Sequence, residues 1–82
     1  NRESGYGRYD ISIEPKDKTK SGFILEFKTA KSKEELEKRA REAFLQIEEK
    51  QYDVEMKERG IVDIVKLGIA FCGKTLKVEV QE

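Results

Sequence analysis

The sequence has no histidine, no tryptophan, one cysteine and one proline. Without histidine there is no serine–histidine or cysteine–histidine relay and no histidine-ligated zinc. The lone thiol, Cys72, cannot close an internal disulfide, so nothing asks for an oxidising compartment. It sits in an apolar run and reads as a small buried residue. A charge excess is missing too, since 17 basic and 17 acidic side chains cancel. Dedicated nucleic-acid binders often carry a basic excess, so net charge gives no support for DNA or RNA. A local basic patch still fits within a neutral total. No apolar stretch is long enough to span a bilayer and no signal peptide is evident, so no membrane partner is expected and the cytoplasm is the expected setting.

What is present is short and heavily charged. Of 82 residues, 41% are charged and 37% hydrophobic, which fits one small soluble domain over residues 1–82 with a thin core. The apolar residues arrive in organised runs, which separates the chain from disordered sequences. It begins at Asn1 rather than at methionine and is expected to be a piece of a longer protein.

Gly7 to Glu14 alternates, with Tyr9, Ile11 and Ile13 on one side and Arg8, Asp10, Ser12 and Glu14 on the other, as in a half-buried strand. Pro15 ends it, and a lysine-rich turn (Lys16, Lys18, Lys20) leads to a second strand over 22–29. There Phe23, Leu25 and Phe27 share one face, and Ile24, Glu26 and Lys28 the other. The short connection predicts an antiparallel hairpin with Asp10 opposite Glu26. A one-residue slip would set the carboxylate against the aromatic face at high desolvation cost. Ser32 to Glu35 has the form of a capping box. A helix to about Lys50 follows, with Leu36, Ala40, Ala43, Phe44 and Ile47 as its apolar stripe. Tyr52 to Arg59 predicts a short helix or a continuation of the first, closed by Gly60. Residues 61–72 predict a third strand, well buried from Leu67 onward. A Gly73-Lys74 turn leads to a fourth, in which Leu76, Val78 and Val80 alternate with Lys77 and Glu79. The order is a small α/β sheet, β-β-α-β-β, with one main helix across it.

The unusual feature is the second strand. Glu26 and Lys28 interrupt an apolar run, where charge is costly unless paired or in use. Their spacing of two puts both on one face, and Asp10 joins them from the neighbouring strand. Two adjacent carboxylates bind a hard divalent cation, which activates water and neutralises phosphate charge. A nearby ammonium can orient the attacking water. With no histidine and one thiol, the ligands must be mainly oxygen, which favours Mg or Mn. A solvated cross-strand ion pair is the other reading of the same pattern. Arg8 shares the Asp10 face and suits either a phosphate or a carboxylate partner. Lys16 and its neighbours suit a solvated loop or a backbone-phosphate contact.

Gly7-Arg8-Tyr9-Asp10, followed by Ile24-Leu25-Glu26-Phe27-Lys28 and a helix carrying Gln46, resembles the D…(D/E)-x-K signature of the PD-(D/E)XK nuclease superfamily. More closely, the runs from Glu3 to Asp10, Leu25 to Lys28 and Gly68 to Gly73 resemble the C-terminal nuclease-like domain found behind AAA-ATPase-like domains in many bacteria and archaea. The resemblance spans nearly the whole chain. It implies a restriction-endonuclease-like core with a mixed four-stranded sheet, the initial helix missing, and an upstream ATPase-like domain. It implies Asp10 and Glu26 as metal ligands, the Phe27 carbonyl completing the shell, and Lys28 as the catalytic lysine. Gln46 and Tyr52 are similar to a glutamine and tyrosine that some members carry on the following helix, although their spacing here is longer. Glu3 stands where many members supply an acidic residue from the initial helix. The implied activity is Mg- or Mn-dependent phosphodiester hydrolysis of DNA, with RNA as the other substrate. The contrasting reading is a non-catalytic module that keeps the fold and dimerises, or docks on its ATPase domain through an exposed sheet edge.

Overall fold

The computed structural model describes residues 2–4 and 7–81, with side chains from Asp10 onward. The elements are β1 (Arg2–Ser4), β2 (Gly7–Tyr9), β3 (Ile11–Ile13), β4 (Gly22–Thr29), α1 (Leu36–Glu49), α2 (Val54–Glu58), β5 (Ile64–Cys72) and β6 (Thr75–Gln81). β1 and β2 form a small antiparallel pair, and β3-β4-β5-β6 form the main sheet in that order. β4 and β5 are parallel and joined through the helices; the outer pairings are antiparallel, so the sheet is mixed. This is the predicted α/β order, consistent with a restriction-endonuclease-like fold.

The first predicted strand is broken in two at Asp10, where the chain bends. Ile11 pairs with Leu25 and Ile13 with Phe23, so an unbroken ladder would set Tyr9 beside Phe27. Instead the Asp10 carboxylate accepts the Phe27 N–H (Oδ2, 2.7 Å). A short acidic side chain has displaced the backbone acceptor, and β2 leaves to pair with β1. The capping box is not made either. Ser32 makes no side-chain cap, and its carbonyl accepts the Glu35 N–H at 3.2 Å in a single 3₁₀ turn over Lys33–Glu35.

α1 lies on the sheet face that carries Ile24, Glu26 and Lys28. Its close approach depends on Gly68 of β5, where a Cβ would stand 2.4 Å from the Ala40 carbonyl and 2.3 Å from the Phe44 amide nitrogen. No side chain fits there. Two apolar clusters flank this point: Ile24, Ile47, Tyr52, Met56 and Ile61 on one side, and Leu36, Ala40 and Ala70 on the other. Gly60 (φ +95°) ends α2 in the left-handed region, and Gly73 (φ +59°) opens the two-residue β5–β6 turn, both backbone states that favour glycine.

The opposite face holds Ile11 and Ile13 of β3, Phe23, Leu25 and Phe27 of β4, and alternate residues of β5 and β6 that register with them. Nothing among the described residues covers it. Leu67 and Ile69, expected to be well buried, are only partly so, and Phe71, Leu76, Val78 and Val80 are exposed. Alternation identified which residues share this face, but α1, the one long helix among the described residues, lies on the other.

Candidate active site

The β3–β4 ladder ends at the Ile11–Leu25 pair; Asp10 follows at the bend, in the register that leads to Glu26, with its carboxylate on the Phe27 N–H. Two residues along β4 from Glu26, Lys28 emerges on the same face. α1 crosses above them and lowers Gln46 into the gap. The Gln46 amide binds three partners: its Oε1 accepts from Lys28 Nζ (2.9 Å), and its Nε2 donates to Glu26 Oε2 (3.0 Å) and to the Tyr52 hydroxyl oxygen (3.1 Å). Charge fixes the orientation of this amide, since only its oxygen suits an ammonium and only its nitrogen suits a carboxylate. The predicted cluster of Asp10, Glu26, Lys28 and Gln46 is thus assembled. Tyr52 belongs to it as well; it is 3% exposed, and its hydroxyl lies inside the network rather than in water.

Glu26 is the strained member. It is 7% exposed, and its Oε1 is buried without a hydrogen-bond partner. Burial pushes its carboxyl above the usual glutamate range, and the negative charge of Asp10 pushes the same way; Lys28, the Asp10 amide and Gln46 oppose without cancelling. A buried carboxyl with one unpartnered oxygen beside a second carboxylate is a donor set that a hard divalent cation fits. Asp10 is aimed by the Phe27 amide. In a strand the N–H and C=O of one residue project to the same side, so the Phe27 carbonyl also faces the Asp10 side, as a ligand role requires. Two carboxylates and a carbonyl suit Mg or Mn, which keep several waters of their own. Among the described residues there is no group of three or more acidic or thiol side chains able to hold a metal.

Lys28 opens onto two shallow grooves. One, about 380 Å³, is bordered by Gln46, Glu49 and Lys50; the other, about 350 Å³, by Phe27, Arg39 and Phe71. A larger groove of about 660 Å³ between α1 and β6 touches none of the cluster and is lined by charges of both signs. Lys16 lies in the exposed turn beyond the Ile13–Phe23 end of the β3–β4 hairpin, away from Asp10 and Glu26. Glu3 and Arg8 face each other across the β1–β2 pair, and their side chains lie outside the described residues.

The sequence reading missed a second charged cluster beneath α1. Lys66 Nζ lies 2.8 Å from Glu48 Oε2 and 3.4 Å from Asp53 Oδ2, and Lys57 Nζ lies 2.8 Å from the same Asp53 oxygen. The one available signal was Lys66, a charge inside the apolar third strand.

Fold and site together define an α/β domain that concentrates two carboxylates and an ammonium where the central strand meets its antiparallel neighbour. The chain belongs to the PD-(D/E)XK nuclease superfamily, whose family model matches residues 1–81. Members of this superfamily generally use divalent metals. No curated protein and no solved structure matches the chain. Among the described residues, no helix is long and apolar enough to cross a membrane.

Proposed function

We propose that this domain is a Mg- or Mn-dependent nuclease that hydrolyses phosphodiester bonds in DNA, with Asp10, Glu26 and Lys28 at its centre. The observation that carries this reading is the buried, unpartnered oxygen of Glu26, a carboxyl close enough to Asp10 to feel its charge. Asp10, Glu26 and the Phe27 carbonyl would hold the metal. When bound, it supplies Lewis-acid activation of water and neutralisation of the phosphate. The remaining tasks fall to the chain itself. The Phe27 amide fixes the Asp10 carboxylate. The Gln46 Oε1 accepts a hydrogen bond from one N–H of the Lys28 ammonium, leaving two N–H groups to orient water and a phosphate oxygen for in-line attack. Gln46 also holds Glu26 through Oε2, which leaves the buried Oε1 as the oxygen a metal would take. Arg8 and Lys16 would add backbone-phosphate contacts that position DNA without reading sequence.

The test joins binding to cleavage. Mn should raise the melting temperature of the wild-type chain by an amount worth about 2.7 kcal/mol at 100 times its dissociation constant. Glu26→Gln should abolish that shift. Asp10→Ala and Lys28→Ala should lower cleavage by about 10³-fold or more while the fold persists, as losses of transition-state stabilisation of several kcal/mol do. Wild-type protein that neither binds Mn nor cuts DNA or RNA sinks the proposal. Mn binding without cleavage would favour the second reading, a nuclease-fold assembly module attached to an ATPase-like domain. The bare sheet face is the observation in its favour.

A further inference from the structure

Arg39 lies on the flank of α1 that borders the candidate site, and two bonds hold its guanidinium still. Nε donates to the Thr29 carbonyl (2.8 Å) and Nη1 to Glu42 Oε1 (2.6 Å), with the side chain 36% exposed. Nη2 and the second N–H of Nη1 have no hydrogen-bond partner among the described residues. A free surface arginine loses rotamer entropy when it binds an anion; this one is pre-organised, with donors to spare. The Glu42 carboxylate beside it is neutralised by the same bond.

The Thr29 anchor decides where those donors stand. The Ala30 N–H bonds to the Phe71 carbonyl of β5, so the odd-numbered residues at this end of β4 turn their backbone groups the other way, toward β3. The Phe27 N–H, on the Asp10 carboxylate, does so. The Thr29 carbonyl therefore shares an edge with the Phe27 carbonyl, two residues or about 7 Å along the strand. That is one nucleotide step, in rough terms, from the candidate metal ligands. Lys28 lies between the two in sequence, and Lys28 and Arg39 are the two side chains that border both grooves.

We propose that Arg39 binds the phosphate next to the scissile one, so that the nucleic-acid backbone runs from the Asp10–Glu26 centre past Lys28 to Arg39. The position of the scissile phosphate rests on the nuclease reading above. The contact reads backbone charge and carries no base information. Arg41, two residues on, bonds to Glu79 of β6 on the other flank of α1 and takes no part.

The experiment measures binding and cutting separately. Binding of a short DNA duplex is followed by fluorescence anisotropy without metal, across a range of salt. Arg39→Gln should weaken it by about tenfold at low salt, and should lower the slope of log affinity against log salt by about 0.9, the share of one phosphate contact. Arg41→Gln, an equal change in net charge, should leave the slope as it is. With Mn present, Arg39→Gln should raise KM for DNA by about tenfold at unchanged kcat, as loss of uniform binding does. On bis(p-nitrophenyl) phosphate, which has no second phosphate, variant and wild type should be equal. In the wild-type chain, bound DNA should protect Arg39 but not Arg41 from phenylglyoxal, a readout that survives any folding defect of the variant. A slope unmoved by Arg39→Gln, or an Arg39 that DNA leaves unprotected, overturns the proposal and spares the nuclease reading. An equal loss on the single-phosphate substrate does the same, since Arg39 would then act on the centre or the fold. The lowered slope and protection with no Mn-supported cleavage by wild type uphold the phosphate contact and sink the nuclease reading. Wild-type protein that binds no DNA at any salt overturns both.

Discussion

Two charged clusters sit beneath the same helix and meet burial in opposite ways. At the end of α1 nearer α2, Asp53 is 6% exposed, and burial alone would raise its carboxyl. The Lys57 bond and the charges of Lys66 and Lys57 outweigh that and hold it below the usual aspartate range. Burial alone would lower Lys66, favouring its neutral amine, but Glu48 and Asp53 overcome it, so its ammonium is held above the usual lysine range. Glu26, in the other cluster, is buried to a similar degree and shifts the other way. Its neighbours are a second carboxylate, a lysine shared with Gln46, and nothing on one oxygen. The Asp53 cluster balances its own charge and ties α1, α2 and β5 together. In the Glu26 cluster the carboxyl stays raised despite Lys28, and such a perturbed buried group in a cluster of charges marks a candidate functional site.

The largest stability effect should come from the balanced cluster. Asp53→Ala strips Lys57 of its carboxylate and leaves Lys66, 18% exposed at its side chain, with Glu48 alone. Breaking a fully buried pair costs several kcal/mol; because Lys66 keeps one partner, about 2 kcal/mol is expected in urea unfolding at neutral pH. The sign with pH follows from the lowered carboxyl. Its contribution is present above the unfolded-state value and is lost as pH falls through the folded one. The gap between wild type and variant should therefore close in strong acid. A neutral Asp53→Ala would mean that the two clusters do not differ as described.

Glu26→Gln should have the opposite sign and a smaller size. A raised carboxyl means that the folded state holds its proton more tightly than the unfolded chain does. The cost of ionising it appears as pH rises above the ordinary glutamate range and is complete above the folded value. Glutamine mimics the protonated form, so the variant should gain about 1 kcal/mol near neutral pH and nothing at low pH. Thermal melts across that range check it. If glutamine destabilises the protein at neutral pH in the absence of metal, Glu26 is already balanced by Lys28, and the argument for a cation site there fails.

How much of this was legible depended on how local the signal was. The Asp10–Glu26–Lys28 face followed from a period of two in adjacent strands and one register choice, and the structure bears out that register. The helix stripe was equally local, and Leu36, Ala40, Ala43, Phe44 and Ile47 are all buried. Which sheet face the helix would cover was not local. Gly68 carries that information, since it alone lets α1 approach the backbone so closely, but a glycine in a strand equally suits a bulge or a bend. The bend at Asp10 was invisible for a related reason. Alternation reads as one strand until a side chain takes the ladder's hydrogen bond, and that competition is settled only once Phe27 is in place. The Asp53–Lys66 cluster joins residues far apart in sequence, and the pattern marked only one of them.

The smallest effect tests whether the polar network under α1 acts as a unit. Tyr52 lies six residues beyond Gln46, past the end of α1, and reaches back because the chain between them turns through Gln51 at positive φ (54°). Its ring belongs to the apolar cluster with Ile24 and Ile47, and its oxygen to the cluster with Gln46. Tyr52→Phe keeps the ring and removes the oxygen, so one Gln46 N–H loses its acceptor. The expected cost is about 1 kcal/mol, the net worth of a typical buried hydrogen bond. If the hydroxyl serves only packing, combining Tyr52→Phe with Gln46→Ala should give additive losses. If it holds the amide that in turn holds Lys28 and Glu26, the double variant should lose about 0.5 kcal/mol or more less than the sum. Coupling of that kind would place the frustrated carboxylate at the end of a rigid chain of contacts running from the core. Additivity would leave Gln46 steered by the two charges alone, which is the weaker scaffold for a site that must hold its geometry.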